Sequence, residues 1–362
     1  MKVLVRIDDI LPPRRGGYRS GVGRSNMELL KGFSKCKDID FDIETYCLGF
    51  SQPSYKGNDL DFKYHRYILP HVINKYCGIE SLWRKHVIGY DLFHLTGNFD
   101  RVDPSERFLV TIHDLYMYSL SSWNRKMFEN CALNSLGIVT CSEYTKQDIV
   151  KTLGVKPDKI SVIPWGISTD LFYERSMQEI KMVKEKYNIQ SDYFFACSCA
   201  HPRKNAIYIL KGFRLALKDN PNIVLVMSWG NVPSEIIKEY SNEIQMGRII
   251  FLDYVSDEDL ATLYSGALAS FLVSSLEGFG FPILESMACG TPSITCRNSS
   301  LEEIGSDKAF YVREKNAEDI AEAILFFSSK EKDTSEELVN YSRKFSWEAT
   351  AKSYLKLYRK YL

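Results

Sequence analysis

The chain has 362 residues, with 46 Lys+Arg against 46 Asp+Glu, 45% hydrophobic and 25% charged residues. That composition excludes wholesale disorder, and zero net charge excludes a nucleic-acid partner held by a broad basic surface. At ~100–200 residues per domain, the length calls for about two domains.

In chain order, the start Met1-Lys2-Val3-Leu4-Val5-Arg6-Ile7-Asp8 is too short and too quickly charged for a signal peptide. Strand-like apolar runs follow at 2–7, 41–48, 90–95, 107–112, 137–141 and 159–164, then at 193–199, 222–228, 248–252, 267–273, 292–296 and 309–312. Many are apolar on both faces, as in Phe108-Leu109-Val110-Thr111-Ile112, which suits parallel strands covered by helices. Amphipathic segments alternate with them at 143–153, 204–218, 257–266 and 317–327. The alternation predicts an α/β chain with two doubly wound, Rossmann-like sheets. Pro164-Trp165-Gly166 ends a strand and the polar stretch 174–191 leads to a new one, so the domain boundary is expected near 170–190, with domains 1–172 and 173–345. A last helix, capped by Ser346, carries Trp347, Ala351, Tyr354, Leu355 and Tyr358 on one stripe over 346–362 and is expected to cross back to the first domain.

No run approaches the ~18–20 apolar residues of a membrane span; 267–276 holds three serines and meets Glu277. The nine cysteines form no CxxC pair, and five (Cys47, Cys141, Cys197, Cys199, Cys296) fall in strand-like runs, where a thiol behaves as a small hydrophobe. A reducing, cytoplasmic location is expected, with peripheral attachment at the inner face of the cell membrane as a further expectation.

The stretch from Ser274 to Pro292 reads as a strand end, a glycine loop and a short helix, with Pro282 at the first helical position and Glu285 on its first turn. Backbone amides at Gly278, Phe279, Gly280 and Phe281 would meet an anion at the helix N-terminus. Glu277 and Glu285, flanking that point, can each fix a hydroxyl-bearing group; they equally suit a strand end and a helix start and nothing more. Arg203 and Lys204 stand between strand 193–199 and the amphipathic run 205–218, at a strand's carboxyl end where open α/β sheets bind ligands. His113 and Asp114 follow strand 107–112 in the same way. Gly21-Val22-Gly23-Arg24 opens the run 22–33, with Gly16-Gly17 and Arg14, Arg15 and Arg19 before it.

These strings, taken together, resemble glycosyltransferase family 4. Glu277 and Glu285, with seven residues between them around Gly-Phe-Gly-Phe-Pro, resemble the E-x7-E signature of retaining GT-B-fold enzymes. Thr111-Ile112-His113-Asp114, Val139 to Lys146, Ile163-Pro164-Trp165-Gly166-Ile167 and Pro202-Arg203-Lys204-Asn205 resemble further landmarks in chain order. The resemblance implies two Rossmann-like domains with an inter-domain cleft and a nucleotide diphosphate-sugar donor. It gives Arg203 and Lys204 the diphosphate, helped by Gly21, Gly23 and the 278–281 amides; Glu285 the ribose; Glu277 the sugar hydroxyls; and His113 the sugar ring. It implies no metal or other cofactor, GDP-mannose first and UDP-hexose second as donor, and a saccharide acceptor, lipid-linked, for surface polysaccharide. Arg14, Arg15, Arg19 and Arg24 are weak candidates on the acceptor side or for lipid contact. A GT-B-fold nucleotide-sugar epimerase and a non-catalytic sugar-nucleotide-binding protein are the alternatives. No G-x4-G-K-[ST] or G-x-S-x-G occurs, and the triplets Asp38–Asp40, Asp40–Asp42, Asp59–Asp61 and Asp257–Asp259 read as turns or caps, not metal sites.

Overall fold

The computed structural model describes residues 1–7, 21–37, 39–48, 60, 62–67, 80, 83–100, 102–330 and 335–362. The chain forms two compact units, one of Met1–Gly166 with Ser346–Leu362 and one of Ile167–Phe345. The division falls earlier than residue 172. Ile167 N–H donates to Phe345 O at 2.9 Å, Phe172 N–H donates to Ser168 O at 2.8 Å, and the Phe172 ring meets Tyr264, which ties 167–172 to the second unit.

The first unit contains β1 (Lys2–Arg6), β2 (Asp42–Leu48), β3 (Lys63–Tyr67), β4 (Leu92–Leu95), β5 (Phe108–Thr111), β6 (Gly137–Thr140) and β7 (Ile160–Val162). They pair in parallel in the order β3-β2-β1-β4-β5-β6-β7. Strands β4, β5 and β6 are buried throughout, and Leu95, Phe108, Val110, Phe128 and Ile138 share one core. The sequence reading missed β3, Lys-Tyr-His-Arg-Tyr. An edge strand needs no apolar outer face, and this one is held by charge. Lys63 and His65 reach the Glu44 carboxylate on β2 at 3.1 and 2.5 Å. Burial pushes that carboxyl up, but hydrogen bonds from His65, Lys63 and Lys2 more than offset it and hold it below the usual range.

The helix Trp347–Tyr361 starts at Ser346, whose Oγ accepts the Ala349 N–H. Its stripe of Trp347, Ala351, Tyr354, Leu355 and Tyr358 is buried within the first unit. It crosses helix Gly21–Lys35 so closely that a Cβ on Gly32 would stand 2.8 Å from Ala351 Cβ and 2.9 Å from Trp347 O. At its far end Tyr358 Oη lies 2.6 Å from Nδ1 of the fully buried His94, whose Nε2 is 2.8 Å from Thr111 Oγ1.

The second unit contains β8 (Tyr193–Ala196), β9 (Val224–Ser228), β10 (Ile249–Leu252), β11 (Ser270–Leu272), β12 (Ser293–Cys296) and β13 (Phe310–Val312), parallel in the order β10-β9-β8-β11-β12-β13. Phe194, Leu225, Met227, Phe271 and Ile294 form the sheet's share of its core, and helices Ala206–Ala216 and Ala317–Ser328 pack on it and on each other. Cys141, Cys197 and Cys199 lie just beyond strand ends instead of within strands; all three are buried. Among the described residues no helix is long and apolar enough to cross a membrane. In each sheet the strand order reverses once, between β1 and β4 and between β8 and β11. The carboxyl ends of strands at such a reversal are where open α/β sheets bind ligands.

Candidate functional site

In the second unit, four loops converge at the carboxyl end of the reversal. The loop after β8 makes a short turn over Pro202–Lys204, in which His201 Nδ1 accepts the Arg203 N–H. It ends at Asn205, whose left-handed φ of 54° is tolerable for Asn. Asn205 leaves the following helix uncapped; its Nδ2 instead donates to Val273 O at 2.8 Å and Ser275 Oγ at 2.9 Å in the loop after β11. Ser275 N–H donates to Arg203 O at 2.8 Å. The two loops on either side of the reversal are therefore laced together.

This lacing brings Arg203, Lys204 and Glu277 into contact. Lys204 Nζ donates to Glu277 Oε1 at 2.6 Å, and Arg203 donates from one guanidinium nitrogen to Leu276 O at 2.7 Å and to Glu277 Oε2 at 3.4 Å. Glu277 is 7% exposed. Its burial raises the carboxyl, but the Lys204 and Arg203 charges outweigh that and hold it below its ordinary value. The first turn of helix Ser299–Gly305, which follows β12, fixes its backbone. Ser299 Oγ accepts the Glu277 N–H at 3.2 Å, and Ser300 Oγ donates to Glu277 O at 2.9 Å. From the end of β13, Glu314 accepts from Ser275 Oγ at 2.5 Å and from Asn298 Nδ2 at 2.9 Å.

Gly278, Phe279 and Gly280 lead into helix Phe281–Ala288. Gly280 has φ 110° and ψ 42°, a conformation side chains rarely adopt, and its position lets the helix begin directly at the site. Pro282 takes the second helical position, not the first, and Glu285 is the fifth helical residue, just past the first turn; the sequence reading placed both earlier. Glu285 is 3% exposed and accepts from Tyr264 Oη at 3.2 Å. Asp257 and Asp259 open helix Asp257–Gly266 behind Ser256, a capping arrangement.

The first unit has its own cavity at the β1/β4 reversal, about 240 Å³, lined by Arg6, Val22, Leu95, Gly97, Asn98, Phe99 and His113. His113 is buried; its N–H donates to Asn98 Oδ1 at 2.6 Å and its Nε2–H to Thr96 O at 2.7 Å. Asp114 caps the next turn through Tyr116 N–H. Gly21 and Gly23 form the first turn of helix Gly21–Lys35, together with Arg24. Arg14, Arg15, Arg19, Gly16 and Gly17 lie outside the described residues, as do Asp38, Asp59 and Asp61.

Arg203, Lys204 and Glu277 are thus brought together, with Glu285 on the adjoining helix, while His113 lines the first unit's cavity, as does Val22 between Gly21 and Gly23. Sequence reading missed the roles of Asn205, Ser299, Ser300, Glu314 and Tyr264. Asn and Ser after a strand do signal a turn, but nothing in the spacing of Glu314 or Tyr264 marks them as partners of this loop cluster.

Two Rossmann-like units, each with polar loops at its reversal point, define the GT-B class of glycosyltransferase folds. Residues 19–171 match the family description Glycosyltransferase Family 4, and residues 178–345 match Glycosyl transferases group 1. The chain belongs to glycosyltransferase family 4. It is 25% identical to an O-antigen chain mannosyltransferase B of Escherichia coli, over 96% of this chain and 97% of that one. Its fold is similar to a glycosyltransferase from Rickettsia africae (TM-score 0.76, 18% identity, 99% and 98% of the two chains covered). It is likewise similar to Anabaena HepE in complex with UDP-glucose (TM-score 0.75, 15% identity, both chains covered throughout).

Proposed function

We propose that this family 4 enzyme transfers a hexose, mannose first, from a nucleotide diphosphate-sugar to a lipid-linked saccharide acceptor in surface polysaccharide synthesis. The single observation carrying the donor site is the pairing of Lys204 and Arg203 with a buried, ionised Glu277 at the reversal point of the second unit. Two cations against one carboxylate leave a net positive charge, and a donor diphosphate would complete it. Glu277 would exchange these ion pairs for the hydroxyls of the sugar, while Glu285 takes the ribose and the amides of 278–281 add to the phosphate contacts. Mannose is supported by the O-antigen mannosyltransferase relative, and a UDP-hexose donor by the UDP-glucose complex of the similar fold.

The C1–O bond to the diphosphate breaks as the acceptor oxygen bonds to C1 on the same face, retaining configuration. The acceptor proton passes to the departing phosphate oxygen. Arg203 and Lys204 stabilise the charge that develops there, so the reaction needs no divalent ion. His113 serves the sugar ring and Gly21 and Gly23 the phosphates, from the first unit. The arginines at 14, 15, 19 and 24 serve the acceptor or an anionic membrane surface.

The test is transfer from GDP-mannose and from UDP-hexoses by Arg203→Ala and Lys204→Ala. Removal of one preorganised charge-stabilising group costs ~10²–10³ in kcat, and that loss is expected from each variant. Near-wild-type transfer by both would sink the site assignment. Activity abolished by a chelator and restored by Mn²⁺ would overturn the metal-free reaction. Conversion of the nucleotide-sugar without any acceptor would favour an epimerase.

A further inference from the structure

Tyr264 lies on helix Asp257–Gly266, fully buried, with its ring packed edge-on against Phe195 of β8 at 5.1 Å. Its Oη sits 3.2 Å from Glu285 Oε2 and 3.0 Å from Cys197 Sγ. A phenol has one proton, so the partners decide where it goes. The Glu285 carboxylate can only accept when ionised, which directs the phenol proton to Oε2. Cys197 is buried, and burial raises its thiol, so its sulfur stays neutral and is the weaker of the two acceptors that face Tyr264 Oη. Tyr264 Oη thus stands between the loop after β8 and the middle of helix Phe281–Ala288, with its one proton drawn to the Glu285 carboxylate.

Long carboxylate side chains have rotamer freedom, and a hydroxyl-reading carboxylate needs one orientation. We infer that Tyr264 is a positioning residue that aims the Glu285 carboxylate at the ribose hydroxyls of the donor, so that discrimination for an intact ribose depends on the phenol proton. The inference rests on the reading of Glu285 as the ribose ligand given above. Tyr264 itself touches no donor atom in this role. Its effect should therefore appear only in the contrast between nucleotides with and without those hydroxyls.

The experiment measures by calorimetry the dissociation constants of GDP and UDP and of their 2′,3′-dideoxy counterparts for the wild-type protein, Tyr264→Phe, Glu285→Ala and the double variant. Melting curves establish that each variant is folded. Wild-type protein is expected to bind the ribonucleotide about tenfold or more tightly than its dideoxy form, as for a hydrogen bond to a charged group. Tyr264→Phe is expected to reduce that ratio to about 2–3, and to add nothing in the Glu285→Ala background. A merely structural role would weaken both nucleotides alike and leave the ratio intact, which overturns the inference. No ribose preference in the wild-type protein would instead overturn the reading of Glu285. A ratio that Glu285→Ala abolishes and Tyr264→Phe leaves unchanged would keep Glu285 and remove Tyr264. Should Tyr264→Phe fail to fold, Tyr264→Met takes its place: a ratio reduced to about 2–3 upholds the inference, and a ratio left at the wild-type value overturns it.

Discussion

His94 shows how one buried side chain sets a pH dependence of stability. It is enclosed between Tyr358 Oη and Thr111 Oγ1, both hydroxyls able to donate or accept, so the neutral ring is satisfied in either tautomer. Burial, aided by nearby His113, lowers its pKa to about 3. The unfolded chain protonates this histidine near pH 6.5. Between those values the unfolded state binds a proton that the folded state refuses, so stability is complete above pH ~6.5 and is lost as pH falls. The loss reaches about 2 kcal/mol at pH 5. Urea denaturation at pH 7 and pH 5 should show it, and His94→Gln should flatten the difference. An equal pH response in the variant would assign the loss to other groups. At this same scale the paired Arg203, Lys204 and Glu277 were legible in the sequence because their neighbours form a recognisable string. Tyr264 and Glu314 were not legible, because a residue far along the chain acquires its partner only when the sheet order brings two loop ends together.

At the scale of elements, the contact between helices Gly21–Lys35 and Trp347–Tyr361 turns on Gly32. An exposed mid-helix glycine changed to alanine gains about 1 kcal/mol from helix propensity. Here the added Cβ would stand 2.8 Å from Ala351 Cβ and 2.9 Å from the Trp347 carbonyl, and the latter is backbone. Overpacking of that kind costs ~1–3 kcal/mol, so the overlap wins. Gly32→Ala is expected to lower stability by about 1 kcal/mol in chemical denaturation; a stabilised variant would show that the two helices part more easily than their packing implies. Among the described residues, twelve of the thirteen strands lie in apolar runs visible in the sequence. The exception, β3, is an edge strand tied to Glu44 by Lys63 and His65, and edge strands held by charge carry no apolar pattern to read. Helix limits were close at the Ser-capped starts Ser142, Ser256 and Ser346, while the Ser-capped helices Ser122–Asn134, Met177–Lys186 and Glu336–Ser342 had no reading in the sequence. The glycine-led start at 280 blurred the register by one residue, since the helix there begins without a side-chain cap.

At the scale of the molecule, the first unit is assembled from two separated pieces of chain, and the second is a continuous stretch between them. Trp347, Tyr354, Leu355, Leu357 and Tyr358 are all buried in the first unit. At ~2 kcal/mol for each large buried side chain, their removal forfeits on the order of 10 kcal/mol. That equals the whole stability of an ordinary domain. A chain ending at Phe345 is therefore expected to lose hydrogen-exchange protection across β1 to β7 while β8 to β13 stay protected, and retained protection in both units would refute the dependence. The same division has a consequence during synthesis. When Gly166 leaves the ribosome, every strand of the first sheet exists, yet the helix that completes its core is still nearly two hundred residues from being finished. At ~5–20 residues per second this leaves the sheet's helix-binding face uncovered for some tens of seconds. The second unit, made in one piece, can complete its fold in that interval. The nascent first unit, with His94 and Gly32 on its open face, is then the natural client of a chaperone until the final helix arrives.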